Sequence, residues 1–198
     1  MYKCPYFYNS LYNRNSQFHD ISGQYFNGIN NGSTLNNFTN QYTDILNTTY
    51  KGMPMPYAIA YIRGGPLAPQ LKGIVIFRSV PGGTEVCVEV SGLPQYKPAQ
   101  DGNPPVGPHG FHIHASGNCQ VGDPKDPFQE AGGHWNPTNQ PHGNHAGDFP
   151  VLFSNDGYAR MCFFTNKFAV QDVIGKAVII HENADDYKQF KQALDYIN

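Results

Sequence analysis

Histidine is concentrated in one part of this chain: seven of its eight histidines lie between residues 109 and 181. Neutral imidazole is the commonest protein ligand of zinc and copper, and histidine is otherwise an infrequent residue. Most of the cluster falls in or beside residues 116–147, which are rich in Gly, Pro and Asn and have little apolar content. A bound ion would hold such a segment in place, so the pattern predicts a metal-binding protein.

The charge and hydropathy of the chain exclude several classes of protein. Its 198 residues carry a formal net charge of -2 with no basic run, so nucleic acid is not an expected partner. No run of about 18 apolar residues occurs, so no membrane-spanning helix is expected. The N-terminal residues lack the charged and apolar regions of a secretory signal, which favours a cytoplasmic location. The four cysteines form no Cys-x-x-Cys pair, so a cysteine-ligated zinc site is not indicated, and their pairing stays open.

Composition divides the chain into three parts. Residues 1–52 are rich in Tyr and Asn, show no helical or strand period, and are expected to be a mostly disordered arm. The aromatic residues of this arm make it a candidate for docking or assembly. Residues 53–187 are the expected folded domain, and residues 188–198 are a divergent tail.

Alternating and apolar runs between Gly- and Pro-rich turns predict short strands throughout the folded domain. These strands are expected at residues 57–63, 71–77, 85–90, 109–115, 157–164 and 173–180. The long irregular loops 93–108 and 116–147 lie between them, and such loops in a compact domain are usually functional. Short strands at regular spacing predict an antiparallel β-sandwich or barrel.

The clearest metal-binding signal within a strand is His112-Ile113-His114. Residues i and i+2 of a strand point to the same face, so two imidazoles would project side by side, as two ligands of one ion must. His109 lies on the opposite face by parity, which favours a structural histidine bonded to the backbone. His181 ends an apolar run, and together with the other histidines it is expected to be a ligand at the rim of the sheet.

The loop after this strand carries a second group of ligands. It holds His134, His142, His145 and Asp148. Three histidines and one aspartate within fifteen residues can close a tetrahedral shell, which is the signature of structural zinc.

Several separated motifs resemble those of the copper,zinc superoxide dismutase family, especially its bacterial-type members. They are Gly110–His114, Ala131–Pro137, His142, His145–Asp148 and His181–Asp186, in the family's order within about residues 56–187. The resemblance implies an all-β fold, a Greek-key β-sandwich or barrel with long metal-binding loops. It also implies copper and zinc as cofactors.

Matched position by position, the resemblance implies two adjacent sites. Copper would be held by His112, His114, His134 and His181, and zinc by His134, His142, His145 and Asp148. His134 would be the shared ligand, using both ring nitrogens, and the catalytic proton relay. Asp185 matches the carboxylate that, in the family, links a copper ligand to a zinc ligand and fixes their orientation.

The resemblance implies a superoxide dismutase. Family members convert superoxide to oxygen and hydrogen peroxide at a copper that cycles between two oxidation states, so superoxide is the expected substrate. The family is often dimeric, which implies a homodimer.

The sequence departs from the family pattern after Tyr187. No arginine follows Arg160, no cysteine follows Cys162 and no eighth strand is visible, so the last strand and the guanidinium that orients superoxide are expected to be missing. Impaired dismutation is therefore expected, with Lys188 or Lys191 as partial replacements. A truncated or frame-shifted gene is the alternative explanation.

The same departure affects the cysteines and the sheet edges. Cys119 lacks the family's partner and is expected to be a free thiol or to pair with another cysteine or another chain. Cys87 and Cys162 alternate within strands and are expected to be small buried hydrophobic residues. A missing strand leaves sheet edges that the arm or residues 188–197 would have to cover.

Two other functions stay open. A non-catalytic copper- and zinc-binding member of the family would have a structural, coat-like or metal-sequestering role, with the arm as its assembly element. A zinc hydrolase is only weakly indicated, because no Glu or Asp is clearly placed as a general base beside an open zinc position.

Overall fold

The computed structural model describes residues 7–10, for which only the backbone is considered, and residues 56–185. Within these ranges the fold is all-β, with two antiparallel sheets. The strands are β1 (Phe7–Ser10), β2 (Tyr57–Arg63), β3 (Lys72–Val80), β4 (Gly83–Ser91), β5 (His109–His114), β6 (Tyr158–Thr165) and β7 (Ala177–Ala184). Short 3-10 helices span Gln129–Ala131 and Val170–Val173. No helix in the described ranges is long and apolar enough to cross a membrane.

The two sheets pack face to face around one core. The larger sheet has the order β1-β2-β3-β4-β6, and the smaller sheet pairs β5 with β7. Val75, Phe77 and Val86 of the larger sheet meet Phe111 and Val178 of the smaller one in a single buried cluster. Burying a side chain of this size stabilises a fold by about 1.5–3 kcal/mol. The chain crosses from β4 to the smaller sheet and returns as β6 beside β4, so the predicted β-sandwich is confirmed.

The last of the predicted strands begins later than expected. The apolar run 173–180 starts with the end of a 3-10 helix, turns at Gly175 (φ 78°), and becomes β7 only at Ala177. An apolar run by itself does not distinguish a strand from a buried turn, which explains the error. His181 consequently lies inside β7 and not at its end.

A short strand from the arm covers one edge of the larger sheet. β1 pairs antiparallel with β2, with Phe7 opposite Ala60 and Ser10 opposite Tyr57. The sequence shows no strand period there, and the strand exists because the edge of β2 offers backbone partners. Residues 11–55 and 186–198 lie outside the described residues, as do the expectations about the rest of the arm, Lys188, Lys191 and an eighth strand.

The cysteines correct two expectations. Cys87 and Cys162 stand opposite each other in the β4–β6 register and are joined by a disulfide, so neither is an independent hydrophobic side chain; Cys87 is buried as expected, but Cys162 is exposed. Strand parity cannot reveal this pairing, because it does not say which strands are neighbours. Cys119 is also disulfide-bonded, so the free-thiol alternative is wrong; its partner lies outside the described residues.

Candidate metal centre

The alternation of β5 places two histidines on one face of the smaller sheet. Phe111 and Ile113 are fully buried in the core between the sheets. His112 and His114, which alternate with them, therefore point to the opposite face, where both are buried under the long loop that follows. The same-face placement of this pair is as the sequence predicts.

β7 adds a third histidine to that face. Val178 and Ile180 pack in the core, so His181 shares the other face of the strand. Its Nε2 lies 3.3 Å from Nε2 of His114, and its ring centroid lies 4.9 Å from that of His112. Two separate strands thus bring three imidazoles together.

The long loop is held against β5 by backbone hydrogen bonds. The amide of Trp135 donates to the carbonyl of Ile113 (2.8 Å), and the amide of Ile113 donates to the carbonyl of Gly147 (2.9 Å). A Cβ atom at Gly147 would lie 2.4 Å from the Ile113 oxygen, so only glycine allows this approach. The docking brings His134 and Asp148 next to the histidines of β5.

His134 lies at the middle of the resulting cluster. Among the described histidines that could bind metal, it alone has its ring centroid within 5.8 Å of all the others. The centroid separations from His134 are 3.8 Å to His112, 5.1 Å to His114, 5.1 Å to His142, 5.8 Å to His145 and 5.8 Å to His181. A ring in this position can face two groups of ligands at once.

Asp148 is a buried carboxylate with several donors around it. Its Oδ1 accepts from Nδ1 of His134 at 2.9 Å, and its Oδ2 accepts from the amides of Gly143 (2.7 Å) and His145 (3.0 Å). Nδ1 of His145 lies 3.3 Å from the same Oδ2. Burial alone would raise the pKa of Asp148, but the bonds from His134 and from these amides outweigh it and hold that pKa well below its usual range. The group is therefore an anion at neutral pH.

Asp185 connects two histidines that belong to different parts of the fold. Its Oδ2 lies 2.8 Å from Nε2 of His112, and its Oδ1 lies 3.2 Å from Nε2 of His142. Burial opposes ionisation of this carboxyl, but the bond from His112 lowers its pKa below the ordinary value. Because each ring directs Nε2 at the carboxylate, Nδ1 of each ring is left to face the centre of the cluster.

The ring nitrogens that are not hydrogen-bonded to a protein acceptor have positions that suit metal ligands. Nδ1 of His112 is buried and has no hydrogen-bond partner. His114 donates from Nδ1 to the carbonyl of Gly132 at 2.7 Å, which leaves its Nε2 facing that of His181 at 3.3 Å. An ion about 2.0–2.1 Å from each nitrogen in a tetrahedral shell separates its ligands by about 3.3 Å.

Two groups of residues have ligand atoms that all lie within 4.8 Å of one another. The first group is His112, His114, His134 and His181, and the second is His112, His134, His142 and Asp148. His145 belongs to neither group and is tied to the second through Asp148. Six of the seven residues that the sequence predicts as ligands fall in these groups, whereas the predicted zinc ligand His145 does not, and His112 falls in both groups.

Burial keeps the imidazoles of β5 and β7 neutral. It lowers the pKa of His112, lowers that of His114 to about 4, and, with the neighbouring His112 and His114, lowers that of His181 to about 2. A neutral ring offers a lone pair to a metal, whereas a protonated ring cannot. At pH 7 these three side chains are ready to bind an ion without first losing a proton.

His109 is fully buried and lies outside both groups of ligands. Its Nδ1 is 2.9 Å from the carbonyl oxygen of His181, and its Nε2 is 3.2 Å from the carbonyl oxygen of Pro94. The ring thus connects the loop 93–108 to β7 beside the centre, a contact to the backbone of the kind that strand parity indicates.

A cleft of about 370 Å³ leads from solvent to the centre. His112, His134, His142 and His181 line it, together with Lys125 and the acidic residues Asp126, Glu182 and Asp185. Lys125 is the one lysine or arginine of the described residues that lines the cleft. The sequence did not identify it, because nothing in an irregular loop shows where a side chain points.

A β-sandwich that brings two groups of ligands around a central histidine defines a class of metalloprotein with sites for two adjacent ions. The sequence pattern of the family described as copper/zinc superoxide dismutase (SODC) matches residues 71–196. This chain belongs to the copper/zinc superoxide dismutase family, whose metals are copper and zinc.

Similar proteins occur in bacteria, in a mammal and in a virus. A superoxide dismutase [Cu-Zn] of Deinococcus radiodurans is 35% identical over 136 residues, covering 60% of this chain and 69% of that protein. A superoxide dismutase [Cu-Zn] of Legionella pneumophila is 32% identical over 126 residues, covering 60% and 68%. The superoxide dismutase-like protein YojM of Bacillus subtilis is 39% identical over 93 residues, covering 39% and 45%.

Proposed function

We propose that this chain is a superoxide dismutase with two adjacent metal sites. The proposed copper ligands are His112, His114, His134 and His181, and the proposed zinc ligands are His134, His142, His145 and Asp148. The observation that carries the proposal is the position of His134. Its Nδ1 lies 2.9 Å from Asp148, while the ring stacks 3.8 Å from that of His112. A single ring in this position has one nitrogen for each metal.

The surrounding acceptors determine which nitrogen each ring presents. Asp185 accepts from Nε2 of His112 and lies 3.2 Å from Nε2 of His142, so both rings would bind a metal through Nδ1. The Gly132 carbonyl engages Nδ1 of His114, so that ring binds through Nε2. Acceptors of this kind hold ligands in one orientation and raise their basicity.

The chemistry has two parts, which the metals and the protein supply separately. Copper, when bound, supplies one-electron redox chemistry, and zinc supplies a fixed positive charge. The reaction converts two superoxide ions and two protons to oxygen and hydrogen peroxide. Nε2 of His134, on the side of the ring away from Asp148, is the atom we assign to hold and deliver a proton. Nδ1, which lies 2.9 Å from Asp148, would be the nitrogen that binds zinc beside that carboxylate.

We assign Lys125 to the attraction of superoxide into the cleft. It is a cation in the lining of the cleft, and a positively charged cleft raises the association rate of an anion. Asp126 and Glu182 line the same cleft and weaken the field. A lysine is a point charge and does not present the paired donors of a guanidinium, so the proposed activity is lower than an arginine at the same entrance would support.

The test is metal loading followed by an activity measurement. The purified chain is loaded with copper and zinc, its metals are counted, and superoxide consumption is compared with that of the same amount of free copper. The proposal expects one copper and one zinc per chain and activity above free copper, with copper content falling in His112→Ala. Full occupancy without activity would instead favour the non-catalytic metal-binding role. Copper content unchanged in His112→Ala would overturn the assignment of the site.

The homodimer and the cytoplasmic location stay predictions. Light scattering of the metal-loaded chain across a range of concentrations measures the oligomeric state directly, and a mass of one chain throughout that range would contradict the dimer.

A further inference from the structure

The larger sheet has a buried apolar patch on the face opposite to the core. The outer-face patch consists of Ile59, Ile74 and Ile76, which form a cluster separate from the main core. In the register of the sheet Ile59 stands opposite Ile76, so the two side chains are neighbours on one face. Val75 and Phe77 alternate with them and point to the core.

This patch is more buried than a sheet face open to water. Ile74 is 2% exposed and Ile76 is 5% exposed. Cys87, which stands opposite Ile76 in the next strand, is also buried. A single layer of strands leaves outward side chains partly accessible, and almost complete burial requires a second layer about 10 Å away. Among the described residues, only β2 and β3 contribute hydrophobic side chains to this cluster.

We propose that the outer-face patch is the docking surface for residues 11–55 of the same chain. The two ends of this segment are both attached to the larger sheet, because Ser10 and Tyr57 are partners in the β1–β2 register. The described residues on either side of the segment therefore lie at the same corner of the sheet. The 45 residues of the segment are far more than the roughly 15 Å across three strands requires.

The composition of the segment suits an apolar surface. It contains seven Tyr and Phe residues, and its only charged residues are Arg14, Asp20, Asp44 and Lys51, which sum to zero. A neutral, aromatic segment can cover apolar side chains without taking a net charge out of water. In this arrangement residues 11–55 are a second layer over the sheet, on the face away from the metal centre.

Photo-crosslinking tests the occupant of the patch. The photo-reactive residue p-benzoylphenylalanine is placed at Tyr61, which stands opposite Ile74 on this face and is 40% exposed. The matched control position is Phe153, an exposed residue of the loop before β6. Full-length protein, mixed from isotope-labelled and unlabelled chains, is irradiated and digested, and the joined peptides are identified by mass spectrometry. The expected product joins position 61 to residues 11–55 of the same chain.

Two outcomes overturn the proposal. Products that join labelled to unlabelled chains at position 61 would assign the patch to a second copy. A yield at position 61 no higher than at position 153 would mean that residues 11–55 do not lie there.

Protease sensitivity gives an independent measurement. In Ile76→Asn the cleavage of residues 11–55 should be about tenfold faster or more, the factor expected when the burial of one isoleucine is lost. Ile76→Val, which keeps the apolar surface, and Phe153→Asn should cleave like the unchanged chain. Circular dichroism and metal content confirm that each variant is folded. Equal cleavage rates in folded Ile76→Asn and Ile76→Val would also contradict docking on this patch.

Discussion

At the scale of single residues, the centre depends on which nitrogen of each imidazole is hydrogen-bonded to the protein and which one faces the other ligands. Asp185 and the Gly132 carbonyl each engage one nitrogen of a ring and leave the other facing the cluster. His134 differs because Asp148 occupies its Nδ1 side while its ring stacks on His112. Single substitutions at these positions should therefore separate metal binding from folding.

Removal of the central ring should affect both metals. In His134→Ala we expect copper and zinc content to fall together, since one side chain serves both proposed sites. Metal counting by mass spectrometry after loading and desalting measures both ions. Lys72→Gln, in β3 of the other sheet, is the control and should leave both contents unchanged. Loss of one metal with full retention of the other in His134→Ala would contradict a shared ligand.

Asp185→Asn tests the orientation of the ligands without removing any of them. The amide is neutral and has a single acceptor oxygen, so it cannot present an acceptor to Nε2 of His112 (2.8 Å) and a negative charge to Nε2 of His142 (3.2 Å) as the carboxylate does. We expect metal affinity to weaken about 10- to 100-fold, measured by competition with a chelator. Glu182→Gln removes another carboxylate of the same cleft and should change affinity much less. Equal affinities in the two variants would mean that Asp185 does not position the ligands.

The stability of the metal-free protein should fall as the pH is lowered from 7 to 5. A histidine takes up a proton near pH 6.5 in the unfolded chain, whereas the folded pKa is about 4 for His114 and about 2 for His181. The unfolded state therefore binds more protons below pH 6.5, which lowers the free energy of unfolding by about 1.4 kcal/mol per pH unit for each such histidine. Above pH 7 this contribution is complete and constant.

Urea denaturation of the metal-free chain at several pH values measures this effect. His181→Gln should have a shallower dependence than the unchanged chain, because one of the contributing groups is gone. A free energy of unfolding that does not change between pH 7 and pH 5 would contradict the neutral state of these rings.

At the scale of elements, the centre is made by two strands and one loop that is hydrogen-bonded to β5. Alternation in β5 and β7 turns apolar residues to the core and histidines to the other face. The loop reaches its position because its backbone approaches Ile113 closely at Gly147. The relative positions of the ligands therefore depend on the close contact between the backbone of the loop and the backbone of β5.

Gly147→Ala should disturb this docking. The added Cβ would meet the Ile113 carbonyl oxygen at 2.4 Å, so the loop must move away from β5. We expect a loss of about 1–3 kcal/mol in the free energy of unfolding and weaker binding of both metals. Gly133→Ala is the matched control, since a Cβ there meets nothing within 4 Å. Thermal denaturation and chelator competition measure both effects, and equal behaviour of the two variants would contradict the close approach.

At the scale of the whole molecule, the sandwich places a cleft over the centre and a cation, Lys125, in the lining of that cleft. Lys125 comes from the long loop, whereas Glu182 and Asp185 come from the end of β7 and the residue after it. The balance of these charges determines the field that an approaching anion meets.

Lys125→Gln should slow the proposed reaction at low ionic strength. We expect kcat/KM to fall about 2- to 10-fold, with a weaker dependence on salt, because one attracting charge is removed. Lys72→Gln removes a charge from β3 of the other sheet and should have little effect. Rates are measured by superoxide decay on fully metal-loaded protein across a range of salt concentrations. A salt dependence identical in Lys125→Gln and the unchanged chain would exclude the assigned role.

Some features of the fold and of the metal centre could be predicted from the sequence because they depend on residues that are close together in the chain. Alternation in His109–His114 and the short spacing of His134–Asp148 predicted ligands that point together, and the strands between turns predicted a sandwich. Three other features could not be predicted from the sequence: the start of β7, the Cys87–Cys162 disulfide and the strand Phe7–Ser10. Each of these depends on which distant strand is the neighbour, and local periodicity carries no information on that.

The sequence by itself determined the class of fold and the set of histidines and carboxylates that a metal could use, since these follow from residue type and local spacing, and the resemblance of its motifs indicated the family. Only the tertiary structure decided that Asp185 reaches both His112 and His142, that His134 lies at the middle of the cluster and that Lys125 lines the cleft. The physical reason is that hydrogen bonds and charge interactions act over a few ångströms in space. Residues far apart in the chain come within that range only when the sheets pack and the loop docks on β5.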